Sequence, residues 1–124
     1  MNISKFTQKS VQAVQDLEKV AYEYGNQEIE EEHLLYALLT QEDSLILKLI
    51  EKMEIQKEYF IDTVKKALDA KVKVSGGELR FGQYLNKALV SAEDEAKAMG
   101  DEYVSVEHLF LSMLKNPSPS MKKI

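Results

Sequence analysis

The chain has no cysteine, which excludes disulfides and thiolate metal sites and is consistent with a reducing compartment. No run of about 18 apolar residues occurs, so no membrane-spanning helix is expected. The start, Met1-Asn2-Ile3-Ser4-Lys5, lacks the apolar stretch of a secretory signal, and none is expected. Basic residues are in the minority. The 16 Lys and Arg against 21 Asp and Glu leave a net charge of −5, which argues against a general nucleic-acid binder, because phosphate contacts need clustered Lys and Arg. Catalytic signatures are missing as well. There is no G-x-x-x-x-G-K-[ST], no H-E-x-x-H, and none of Gly25, Gly76, Gly77, Gly82 and Gly100 falls in a G-x-G-x-x-G.

What is present suits one folded domain. The 124 residues are 44% apolar and 30% charged, a globular rather than a disordered composition. That length supports one core but is short for an enzyme with a separate cofactor domain.

The chain repeats itself. Shifted by 75 residues, its halves align without a gap: Phe6 falls on Phe81, Gln8 on Gln83, Ala13 on Ala88, Glu18 on Glu93, Ala21 on Ala96 and Gly25 on Gly100. Glu32-His33-Leu34 falls on Glu107-His108-Leu109, and Leu39 on Leu114. Two unrelated amphipathic helices would not readily place a glycine and a Glu-His-Leu triplet in one register, so the domain is read as two copies of one unit.

Each unit reads as helices, and the fold class is all-α. Phe6, Ser10, Ala13, Val14, Leu17, Ala21 and Tyr24 form one stripe at helical spacing, with Ser4 as the expected N-cap and Gly25 as the stop. A second helix carries Leu34, Leu35, Leu38 and Leu39. A third starts near Asp43-Ser44 with Leu45, Ile46, Leu49, Ile50 and Met53, and a fourth carries Phe60, Ile61, Val64 and Leu68. Repeat 1 thus spans about residues 4–69, a linker with Ser75-Gly76-Gly77 about 70–79, and repeat 2 about 80–124. Repeat 2 opens near Gly82 with Leu85, Ala88, Leu89, Ala92, Ala96 and Met99. Ser105 is the expected N-cap of its second helix, and Asn116-Pro117-Ser118-Pro119 ends it. Ser120–Ile124 matches only the start of the third helix, so the second unit is expected to be incomplete, the chain part of something longer, and some core surface exposed.

The chemistry-bearing residues read modestly. His33 and His108 are repeat equivalents. A metal held between them is disfavoured, since zinc takes three or four protein ligands; each is expected to hydrogen-bond near a helix start and fix the preceding loop. The acidic run Glu28, Glu30, Glu31, Glu32 is expected to be a solvated first helical turn favoured by the helix dipole, not an acid/base pair. Tyr22, Tyr24, Tyr36, Tyr59, Tyr84 and Tyr103 read as packing residues, and no basic cluster accompanies them for single-strand binding. An interaction module remains, with the seam between units as its candidate peptide groove.

The residues carrying the repeat resemble the N-terminal domain of the Clp AAA+ chaperones, the double Clp repeat, and most of all its ClpB-type disaggregase branch. The matching stretches are Phe6-Thr7-Gln8-Lys9-Ser10, Tyr24-Gly25-Asn26-Gln27-Glu28-Ile29, Glu32-His33-Leu34-Leu35-Tyr36-Ala37-Leu38-Leu39 and Gly100-Asp101-Glu102-Tyr103-Val104-Ser105-Val106-Glu107-His108-Leu109. The resemblance implies an orthogonal helical bundle of two pseudo-two-fold-related four-helix repeats, the second truncated. It further implies a cytoplasmic, non-catalytic domain tethered to a homohexameric AAA+ ATPase. That domain would engage unfolded or aggregated polypeptide, with neither nucleic acid nor membrane as a partner. ATP, Mg and the Hsp70-type partner chaperone act through the parent protein; the fragment itself needs no cofactor. The family's polar substrate cluster maps onto Thr7, Asp101 and Glu107, and its apolar groove onto Leu89, Val90 and Leu109, with His108 alongside. Helix-end stabilisation is the competing role for Thr7 and Glu107, a turn role for Asp101, and core packing for Leu89 and Leu109. Gly82-Gln83 departs from the family's usual Ser-Pro opening of the fifth helix, and His108 is polar where some relatives are apolar. The alternative function is an adaptor-binding domain of a ClpC- or ClpA-type protease ATPase. A small helical enzyme is a third reading and needs a cofactor or metal.

Overall fold

The first helix starts later than its apolar stripe suggests. In this computed structural model, which describes residues 3–74 and 76–124, Ile3–Lys5 form a short 3-10 turn and Phe6 is extended. Helix α1 (Gln8–Gln15) is capped by Thr7, whose Oγ1 accepts the Ser10 N–H at 3.3 Å. Ser4, the expected cap, lies outside the helix because Phe6 is occupied in a backbone bridge to Val104. The readings of Met1, Asn2 and Ser75 lie outside the described residues.

The single helix expected from Phe6 to Tyr24 is two, α1 and α2 (Leu17–Glu23), joined through Asp16 in a shallow helical conformation. Asp16 donates its N–H to Gln12 and accepts from Val20, so the axis carries on with little interruption. Gly25 ends α2 at φ +69°, with its N–H on the Tyr22 carbonyl at 3.1 Å and the Asn26 N–H on Ala21 at 2.9 Å. This is a Schellman stop, which needs a left-handed residue. Gly100 repeats it at φ +73°, with bonds to Lys97 and from Asp101 to Ala96.

The first unit continues with α3 (Glu31–Leu39), α4 (Leu45–Lys52) and α5 (Lys57–Asp69). Ser44 caps α4 by accepting the Leu47 N–H, and its hydroxyl donates to the Leu38 carbonyl at 2.6 Å. The second unit contributes α6 (Gln83–Ala98) and α7 (Val106–Lys115), the equivalents of α1–α2 and of α3. A 3-10 turn, Met121–Lys123, then falls at the positions of Ile46–Lys48. One apolar core joins the units: Leu17, Leu34, Leu38, Ile50, Leu68, Leu85, Leu89 and Leu109 are all buried within it. Leu114 is 56% exposed, whereas its equivalent Leu39, packed in the first unit's core, is 1% exposed.

Reciprocal backbone pairing closes the seam. Phe6, leading into α1, bridges Val104, the residue two before α7; the Thr7 N–H reaches the Val104 carbonyl at 2.9 Å and the Val104 N–H reaches Lys5 at 2.7 Å. In the opposite sense, β1 (Glu28–Ile29), ahead of α3, pairs in parallel with β2 (Arg80–Phe81), ahead of α6, and the Gly82 N–H reaches Ile29 at 2.7 Å. Because Phe6 and Phe81, and Ile29 and Val104, are equivalents at the 75-residue shift, each unit's lead-in strand pairs with the other's loop. That is the pseudo-two-fold relation.

The stretch between the units is partly docked on the first. Lys73 donates to the Tyr24 carbonyl at 2.6 Å and the Val74 N–H to Gly25 at 2.9 Å, while Asn26 donates to Val72 at 3.0 Å.

Candidate functional site

Two equivalent histidines build the loops that flank the seam. In the first turn of α3, His33 Nδ1 accepts the Glu30 N–H at 2.9 Å and its Nε2 lies 2.9 Å from Asn26 Oδ1. In the first turn of α7, His108 Nδ1 accepts the Ser105 N–H at 2.9 Å and its Nε2 lies 2.8 Å from Asp101 Oδ2. A backbone N–H can only donate, so in both rings Nδ1 is the acceptor and Nε2–H the donor. Each imidazole therefore ties the residue after the helix-stopping glycine to the start of the next helix. This is the loop-fixing role expected for both.

The two boxes differ in charge. The first pairs its histidine with a neutral amide, and burial with nearby Lys71 lowers the His33 pKa to about 4. The second pairs its histidine with a carboxylate whose side chain is 48% exposed. Both boxes face open grooves: Asn26, Gln27 and Glu30 of the first line one of about 510 Å³, together with Lys71 and Ser120. Around the second box Met99, Asp101, Glu102, Tyr103, Ser105, Glu107 and His108 line an open groove of about 380 Å³. Met99, Tyr103 and Glu107 are exposed there, and Glu107 takes part in no ion pair among the described residues.

The other candidate residues scatter. Thr7 is half-buried and meets the second unit at Val104, midway in sequence between Asp101 and Glu107; its hydroxyl is engaged with Ser10. Leu89 and Leu109 are each 1% exposed in the core, while Val90 beside them is 56% exposed on the outer face of α6. Val90 and the Asp101–Glu107 loop are therefore accessible, and Leu89 and Leu109 are packing residues in this conformation.

The acidic run departs from expectation. Glu31 and Glu32 are fully buried, not solvated. The Glu31 Oε1 accepts the Ser118 N–H at 2.7 Å, Glu32 accepts the Ser120 hydroxyl, and Lys71 pairs with Glu30 at 2.9 Å and Glu32 at 3.3 Å. The covering groups come from 118–120 and from Lys71, so the run's own composition gives no sign of them. Burial, helped by the neighbouring Glu32 charge, raises the Glu31 pKa to about 7 against the opposing Ser118 hydrogen bond. Four of the tyrosines, Tyr22, Tyr59, Tyr84 and Tyr103, are exposed rather than packed. No group of three or more His, Asp and Glu among the described residues is arranged to hold a metal, and no described helix is long and apolar enough to cross a membrane.

Known proteins are similar to this chain in sequence and in fold. A family model, the Clp repeat (R) N-terminal domain, matches residues 5–124. The chaperone protein ClpB of Nitratidesulfovibrio vulgaris is 38% identical over 126 residues, covering 98% of this chain and 15% of that protein. ClpB of Clostridium tetani is 39% identical over 129 residues, covering 100% of this chain and 15% of that protein. The chain thus spans about 15% of the length of these relatives. Among solved structures, the Hsp104 N-terminal domain from Candida albicans matches with a TM-score of 0.84 at 20% identity, over 96% of this chain and 78% of that one. A complex of the ClpV N-domain with VipB peptide matches with a TM-score of 0.76 at 19% identity, over 98% and 77%. On the family match and the ClpB relatives together, the chain belongs to the Clp repeat N-terminal domain family and is of the ClpB type.

Proposed function

We propose that this domain engages unfolded or aggregated polypeptide for a ClpB-type disaggregase, without catalysis of its own. The observation that carries the reading is the asymmetry between the two loops. Both loops line open grooves, but the first has its acidic side chains engaged by Lys71 and residues 118–120, while at Asp101–Glu107 the exposed Glu107 takes part in no ion pair among the described residues. A loop tied down by His108 and left open to solvent suits an extended chain, since little ordering is needed on binding. A solved relative, the ClpV N-domain, is in complex with a peptide, in keeping with a peptide-binding role. The parent would be a cytoplasmic, homohexameric AAA+ ATPase. It would supply ATP and Mg chemistry and the contact to an Hsp70-type chaperone.

The test is fluorescence anisotropy of a labelled, permanently unfolded protein, reduced and carboxymethylated α-lactalbumin, titrated with the domain. Saturable binding weakened about threefold or more by Tyr103→Ala or Glu107→Gln is expected. Absence of binding, or affinity indifferent to both substitutions, contradicts the reading. Binding of a folded protein in preference to the unfolded one would favour the adaptor-docking alternative.

A further inference from the structure

Ser10 is fully buried in the first turn of α1, where a hydroxyl is costly without partners. Its partners lie on both sides of the seam. The Ser10 Oγ is 2.7 Å from the Val104 carbonyl of the second unit and 2.9 Å from the Thr7 carbonyl of the first. The Thr7 hydroxyl lies 2.9 Å from the same oxygen. With its one proton given to the nearer carbonyl, that of Val104, Ser10 Oγ accepts from Thr7. The Val104 carbonyl is thus held by two donors, the Thr7 N–H at 2.9 Å and the Ser10 hydroxyl.

The pseudo-equivalent junction lacks this pair. There the Ile29 carbonyl takes the Gly82 N–H at 2.7 Å, Ser10 is replaced by Leu85, and Thr7 by Gly82, which has no side chain. The first loop needs no hydroxyl tether, because Lys71, Lys73 and Ser118 hold it from outside. Among the described residues the only ion pair on the second loop is that of its own box, Asp101 with His108, so its other fixed points are the backbone and hydroxyl bonds beneath it.

We propose that Ser10 is a positioning residue for the polypeptide-binding loop, acting across the seam through the Val104 carbonyl to set how Asp101, Tyr103 and Glu107 are presented. The inference rests on the binding role proposed above. Ser10 touches no bound polypeptide; it acts by keeping the loop in one conformation, so that binding need not order it.

The experiment compares Ser10→Ala with Ser112→Ala. Ser112 is also fully buried and its hydroxyl also donates to a backbone carbonyl, that of Ala88 at 2.6 Å, but away from the groove. Ser112→Ala loses one buried hydrogen bond, and Ser10→Ala loses the bond its hydroxyl donates and the one it accepts from Thr7, so both are expected to lower the melting temperature, Ser10→Ala at least as much. Affinity for carboxymethylated α-lactalbumin is expected to fall about fivefold in Ser10→Ala, the equivalent of one hydrogen bond, and to be unchanged in Ser112→Ala. The amide signals of Asp101–Ser105 are expected to broaden or shift only in Ser10→Ala, with those of Gln27–Glu30 unmoved. If the wild-type domain fails to bind, the binding role itself falls. If it binds and Glu107→Gln weakens it while Ser10→Ala does not, or Ser10→Ala and Ser112→Ala weaken it alike, the positioning role alone is overturned. Should Ser10→Ala not fold, Ser10→Cys, which keeps the volume and a weaker donor, is read by the same criteria.

Discussion

The buried carboxylate of Glu31, in the first repeat, accepts the backbone N–H of Ser118, 87 residues away in the second, at 2.7 Å. The other oxygen, Oε2, has no hydrogen-bond partner among the described residues, so the carboxyl sits more comfortably with a proton than without one. Its pKa is raised from 4.5 to about 7. A raised carboxyl pKa contributes stability that is fully present below 4.5 and is lost as pH rises through about 7. Glu31→Gln mimics the protonated form. Urea unfolding at pH 5 and pH 8 is expected to show a stability gain larger at pH 8 by about 3 kcal/mol at most. Equal effects at the two pH values would contradict the assignment.

His33 works in the opposite direction. Its pKa is lowered to about 4, so the neutral ring contributes stability present above about 6.5 and lost as pH falls through about 4. Nitrogen-15 spectra are expected to show a His33 ring protonated at Nε2 alone and unresponsive from pH 8 to pH 5. A ring that gains charge above pH 6 would show that the Asn26–His33–Glu30 box is not closed.

Phe6 and Phe81 occupy equivalent places in the seam, yet Phe6 is buried and Phe81 only half-buried. Phe6→Ala is therefore expected to cost about 3 kcal/mol or more, and Phe81→Ala less. Chemical denaturation of both variants decides it; equal or reversed costs would mean that the two junctions share burial evenly.

Leu89 and Val90 separate packing from recognition. Leu89→Ala opens a cavity in the core and is expected to cost about 2–5 kcal/mol, whereas Val90→Ser on the exposed face is expected to change stability by about 0.5 kcal/mol or less. A loss of polypeptide affinity in Val90→Ser without loss of stability would put α6 in the binding surface. Unchanged affinity would confine the surface to the Asp101–Glu107 loop.

Much of the fold is legible along the chain because the signals are local. Gly25 and Gly100 mark helix stops through their own backbone conformation, and His33 and His108 act on residues three and seven positions away. What is illegible depends on distant partners. Glu31 and Glu32 look solvated until Lys71 and residues 118–120 arrive to cover them. Ser4 looks like a cap until the Phe6–Val104 bridge keeps the chain extended past it. The candidate site is legible in part: the sequence repeat brings Thr7 and the Asp101–Glu107 loop into one seam. Burial then divides the rest, with Leu89 and Leu109 in the core and Val90 outside. Ser10 reads as one more stripe residue, and only its cross-seam partner sets it apart.

The central claim is that polypeptide is held at the open loop of the second repeat. Its most direct test is a proton–nitrogen correlation spectrum of the labelled domain titrated with unfolded carboxymethylated α-lactalbumin. The expected result is a set of shifted amides confined to Met99–His108 and neighbouring Thr7, with the equivalent loop at Gln27–Glu30 unmoved. Shifts centred on Gln27–Glu30, or spread evenly over the surface, would contradict it.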